Sequence, residues 1–133
     1  MKSLTYTLIL LLVLSMASGA QMSLEKSRLS IISGKSAQTD LVYINKHNPI
    51  SGAPLSVVYT CTEISGRKTI CDKKDIYNPE SLSVRVDRFT DTHGRAKVTV
   101  TGIKKGLFHY TICEFEQGCV GSSVTGDVMV KET

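Results

Sequence analysis

TDTHGRAKVTVTGIKKGLFHYTI, Thr90 to Ile112, is the stretch that decides the fold. Ala96, Val98 and Val100 interleave with Lys97, Thr99 and Thr101. That is the period-two pattern of a strand with one face in a core and the other in water. Asp91-Thr92-His93-Gly94 before it and Lys104-Lys105-Gly106 after it each end in a glycine free to take positive φ, so both read as turns. Leu107 to Phe115 then runs on as a long aromatic strand.

Working outward, the same grammar repeats. Leu29 to Ile32, Leu41 to Ile44, Leu55 to Cys61, Leu82 to Val86 and Gly126 to Val130 are short β-rich runs parted by Gly, Pro, Asn and Asp. With the two strands above they make seven, at about ten-residue spacing, and no segment has helical periodicity. Such a chain is expected to be all-β, two sheets packed as a sandwich over residues 29–133. Residues 21–28 read as a polar leader, and Tyr59, Tyr77 and Phe89 as added aromatic bulk.

The first twenty residues set the expected compartment. Lys2 precedes an apolar run from Leu4 to Leu14, and Ser18-Gly19-Ala20 supplies the small residues a signal peptidase reads. The run is too short for a bilayer span, which needs about 20 apolar residues. Residues 1–20 are therefore expected to be a signal peptide, the mature chain to be secreted and extracellular, and no transmembrane segment is expected. Removing Lys2 with the leader lowers the basic count from 16 by one, against 12 acidic residues. That mild excess does not argue for nucleic acid, and the lysine-rich loops hold only Tyr77 as a stacking aromatic.

All four cysteines, Cys61, Cys71, Cys113 and Cys119, lie in the mature part, and an even number in a secreted chain implies two disulfides. Spacings of ten and six without a paired histidine fit no common zinc site, so no metal or cofactor is expected. No serine sits in a G-x-S-x-G turn and no glycine loop cradles phosphate, so no enzyme is expected. His109, beside Tyr110 in mid-strand, reads as a packing residue.

Two stretches together, NPISGAPLSV (Asn48 to Val57) and Thr90 to Ile112, resemble the bacterial Ig-like domains of the invasin and intimin group and the related macroglobulin-type domains. Those share an N-P-x-x-G turn, a T-D-x-x-G-x-A-x-V-x-V strand entry and a G-x-Y-x-V strand. The resemblance implies a seven-stranded immunoglobulin-like β-sandwich and leaves function open. The four cysteines, the charged segment Ser65 to Asp75 and Phe108-His109-Tyr110 depart from the pattern. Vertebrate-type Ig domains fit less well, because the chain has no tryptophan and Tyr110-Thr111-Ile112-Cys113 lacks their Y-x-C spacing.

Threading the seven strands through that topology sorts cysteines and loops. Cys61 and Cys113 fall several residues apart along neighbouring strands, which favours Cys61–Cys71 and Cys113–Cys119, each clipping a loop. One end of the sandwich gathers Lys35, Arg67, Lys68, Lys73, Lys74, Lys104 and Lys105, a candidate anion-binding face offset mainly by Asp40, Asp72 and Asp75. The opposite end gathers His47, Asn48, His93, Arg95, Glu116 and Gln117, candidate partner-binding loop residues. The expected function is a secreted non-enzymatic binding protein for an extracellular protein or glycan, in defence, adhesion or reproductive fluid. The alternatives are an effector on anionic surfaces (antimicrobial, lipopolysaccharide- or glycosaminoglycan-binding) and a small protease inhibitor presenting the Cys61–Cys71 loop.

Overall fold

Strand β8 (Arg95–Gly102) buries Ala96, Val98, Val100 and Gly102 and turns Arg95 and Lys97 to solvent, as its alternation requires. Strands β3 (Ser36–Asn45) and β7 (Leu82–Val86) obey the same rule, burying Thr39, Leu41 and Tyr43 in one and Leu82 and Val84 in the other. In the computed structural model, which describes residues 19–62, 75–76, 81–114 and 122–132, these strands form one antiparallel sheet. Its order is β1-β3-β8-β7, where β1 is Ala20–Leu24, and the two-residue β4 (Asn48–Pro49) folds back on β3. The second sheet runs β2 (Arg28–Ile32), β10 (Ser123–Lys131), β9 (Gly106–Glu114), β5 (Leu55–Thr62), β6 (Asp75–Ile76). Its β2–β10 pair is parallel and the others are antiparallel.

The core lies between the sheets. Leu41, Tyr43, Leu82, Val84, Val98 and Val100 meet Leu29, Ile31, Phe108, Tyr110, Ile112, Val128 and Val130 there. Fully burying an aliphatic or aromatic side chain of this size stabilises by about 1.5–3 kcal/mol. This interface is therefore what holds the sheets together.

Two expectations need correction. The described residues contain ten strands where seven were expected, because β4 and β6 are two-residue ladders and β1 was overlooked. β1 lies mostly within the stretch expected as a polar leader. Ala20, Met22 and Leu24 pack against the core while Gln21 and Ser23 alternate with them. The link to β2 is pinned on both sides: Glu25 N donates to Asp40 O, Lys26 N to Thr39 Oγ1, and Asp127 N to Ser27 O. The chain thereby crosses from one sheet to the other within three residues.

Cys61 stands opposite His109, and Cys113 opposite Ser56. Four strand positions separate the two, about 13 Å, well beyond the 7 Å limit for bonded α-carbons. Neither is a free thiol. Alternation in β9 sends Phe108, Tyr110 and Ile112 inward and His109, Thr111 and Cys113 to the sheet's other face. Cys71 and Cys119 lie outside the described residues.

Candidate functional site: two loop ends of the sandwich

One end is assembled around Thr90. Its Oγ1 donates to Ile50 O at 2.6 Å and accepts from Ala53 N at 2.9 Å. Its backbone accepts from Gly52 N and donates to Ala53 O. Four hydrogen bonds from one buried threonine thus latch the β4–β5 connection to the β7–β8 turn. Gly94 closes the arrangement with φ of 72°; a Cβ there would lie 2.5 Å from Tyr43 O and 3.1 Å from Ile50 N. The two turn motifs quoted from the sequence are therefore one interlocked object, and its buried members are structural.

What the latch presents are exposed neighbours. Lys46 and His47 form the two-residue hairpin between Asn45 and Asn48, both with positive φ, 49° and 73°. His93 is exposed, and its backbone N–H and that of Arg95 both donate to Asp91 Oδ1. Those two bonds hold the Asp91 carboxyl below the usual carboxylate range. Arg95, a candidate partner-binding residue, is held by two carboxylates. Its Nη1 donates to Glu25 Oε1 at 2.6 Å and Asp40 Oδ2 at 3.0 Å, tying the start of β8 to the middle of β3 and to the residue after β1 while the side chain stays partly exposed. Asp40, expected to offset the basic end, belongs to this cluster. Glu116 and Gln117 lie outside the described residues. Tyr43 Oη donates to Glu114 Oε2 at 3.2 Å, so the start of the β9–β10 connection joins the same end. Burial pushes the Tyr43 hydroxyl's pKa up, against a hydrogen bond with Ser122 that lowers it.

Phe89 was missed. Expected only as added aromatic bulk, it is 56% exposed beside Arg88, where it bridges to Pro54 of the β4–β5 connection. No strand pattern marks it, because β7 ends at Val86 and Arg88, in phase with Leu82, Val84 and Val86, is exposed as well.

At the other end the β2–β3 and β8–β9 turns interlock. Gly34 N donates to Gly102 O, Gly102 N to Lys35 O, Ser33 N to Lys131 O, and Ser33 Oγ to Ile103 O at 2.8 Å. Ile103 N and Lys104 N both donate to Ser81 O ahead of β7. Lys35, Lys104 and Lys105 do gather here, all exposed, and Lys131 at the end of β10 joins them. Arg67, Lys68, Lys73 and Lys74 lie outside the described residues.

A third feature sits on the outer face of β2, β10 and β9. An open groove of about 620 Å³ is lined by residues that include Arg28, Leu107, His109, Asp127 and Met129. His109 Nδ1 lies 2.7 Å from Asp127 Oδ1, and Arg28 Nε 3.8 Å from Asp127 Oδ2. His109 thus has a carboxylate within hydrogen-bond distance where packing was expected. A histidine oriented by a carboxylate becomes a general base when a nucleophile adjoins it. Cys61, opposite His109, is not a free thiol and offers none. Among the described residues no three of His, Cys, Asp and Glu gather to hold a metal ion, and no helix is long and apolar enough to cross a membrane.

No protein-family model and no curated protein matches the sequence. Solved structures do resemble the fold. Domains 4 and 5 of the S-layer protein SbsC align with a TM-score of 0.56 and 19% identity over 82% of this chain and 50% of that one. Domains 1–6 of the same S-layer protein align at 0.58 and 18%, covering 84% of this chain and 13% of theirs. The Yersinia pseudotuberculosis adhesin InvE aligns at 0.48 and 12%, over 86% and 32%. The chain thus spans half the length of the first of these structures and far less of the second. At such identities the likeness concerns the fold alone. What is shared with the S-layer domains is the two-sheet β-sandwich itself.

Proposed function

We propose that this chain is a secreted, non-enzymatic binding protein whose Thr90-latched end recognises an extracellular protein or glycan. The observation that carries the reading is that Thr90 holds two turns rigid while Phe89, Arg88, His47 and His93 stand exposed around them. A partner then meets side chains whose backbone is already ordered, so little entropy is lost on binding. Exposed aromatic and arginine side chains are the types that dominate interface energetics. Secretion is proposed from the leader at residues 1–20, and Cys61–Cys71 with Cys113–Cys119 as the two disulfides. The surface and adhesin proteins that share the fold support a binding role over a catalytic one.

The test is capture of glycans on an array, and of proteins from extracellular fluid, by the oxidised full mature chain. A ligand retained by the parent and lost at least tenfold by Phe89→Ala with His47→Ala supports the proposal. Equal retention by that variant, or steady turnover by the purified protein, refutes it.

A further inference from the structure

The opposite end carries a second surface, independent of the partner-binding reading. We infer that it is a contact site for anionic lipid bilayers. Of the four exposed large hydrophobic side chains among the described residues, three gather at this end or beside it: Ile32 at 44%, Ile103 at 44% and Met129 at 43%. Ile32 closes β2 and Ile103 opens the β8–β9 turn, and the bond from Ser33 Oγ to Ile103 O joins those two segments. Met129 lies one outward position back along β10, where Ile32 faces Lys131 and Ser30 faces Met129.

Around these apolar groups stand Lys35, Lys104, Lys105 and Lys131. Residues 32–35, 102–106 and 131–132 hold those four lysines and a single carboxylate, Glu132. The interlocking backbone bonds hold the turns as one tip, so apolar and cationic groups are presented together. This pairing selects among anionic partners. A sulfated glycan satisfies lysines but has no use for isoleucine or methionine. An anionic bilayer accepts both: headgroup phosphates take the ammonium groups, and the headgroup–acyl boundary takes the apolar side chains. Each term alone is weak, and the combination is what a membrane-contacting loop needs.

The experiment is co-sedimentation of the full, oxidised mature chain with vesicles of phosphatidylcholine alone and of phosphatidylcholine mixed with phosphatidylglycerol. Binding is expected only to the mixed vesicles, weakening as salt rises. Lys104→Glu with Lys105→Glu should reduce it by about tenfold or more. Ile32→Ser with Ile103→Ser, which leaves the charge unchanged, should reduce it by about tenfold. Lys97→Glu, on the exposed face of β8, should leave it near the parent level, and thermal melts confirm that each variant is folded. Equal binding to both vesicle types, no binding to either, or binding that the isoleucine variant leaves intact overturns the inference. The last outcome, with equal retention on soluble heparin, assigns the lysines to a glycan.

Discussion

The phenol of Tyr110 occupies the space that a side chain at position 126 would need. The two residues face each other across β9 and β10, and a Cβ on Gly126 would overlap the ring at Cζ, Oη and Cε1. Glycine in mid-strand is normally a weakness. Here it lets the largest fully buried side chain among the described residues lie over the backbone of the next strand. Gly126→Ala is expected to destabilise by about 1–3 kcal/mol through overpacking. Denaturant unfolding should show a lower midpoint at unchanged slope, and an unshifted midpoint would mean that the strand yields.

Tyr110 also predicts an alkaline limit. Its hydroxyl is buried without a hydrogen-bond partner among the described residues. Burial first, then the Asp127 charge, pushes its pKa up to about 12. The folded chain therefore keeps the proton after the unfolded chain has lost it. Stability that is full below about pH 10 should fall as pH rises towards 12, by roughly 2–3 kcal/mol. Tyr110→Phe should remove that fall, and near neutral pH it should leave stability unchanged or raised by about 1 kcal/mol. Urea midpoints from pH 8 to 12 compare the two proteins.

Thr90→Val keeps shape and removes the hydroxyl. Ala53 N–H then loses its acceptor in a buried place, and the partly buried Ile50 C=O loses its donor. The expected loss is about 2–4 kcal/mol, and Thr90→Ser should recover most of it. Hydrogen exchange should speed first at Gly52 and Ala53, because the latch opens before the core does.

The Lys46–His47 hairpin suits its residues poorly, since a two-residue turn with both φ positive favours Asn-Gly. Lys46→Asn with His47→Gly should stabilise by about 1–2 kcal/mol. If His47 contributes to recognition, the same variant binds its partner more weakly while melting higher. Thermal melts and the capture assay read the two effects separately.

Strand positions were legible because alternation is local. Val98 and Val100 announce their face to anyone who counts by two, whereas Phe89, beyond the end of β7, has no such pattern to place it. The turn motifs were legible for a related reason: Gly94 and Gly52 mark positive φ at their own positions. β1 was overlooked although Ala20, Met22 and Leu24 alternate correctly, because polar residues surround so short a run. A five-residue strand gains its stability from the ladder with β3, which no local pattern displays.

By itself, then, the sequence determined the class of the fold and most of its strands, which follow from period-two patterning and turn chemistry; the grouping of Lys35, Lys104 and Lys105 came from the topology that the resemblance implies. Only the tertiary structure decided which residues those loops leave free. It engaged Arg95 with Glu25 and Asp40, paired His109 with Asp127, made Thr90 the tie between two turns, and brought Lys131, Ile32 and Ile103 to one tip. The physical reason is distance along the chain. Glu25 and Arg95 are 70 residues apart, and a contact of that span depends on the packing of every strand between.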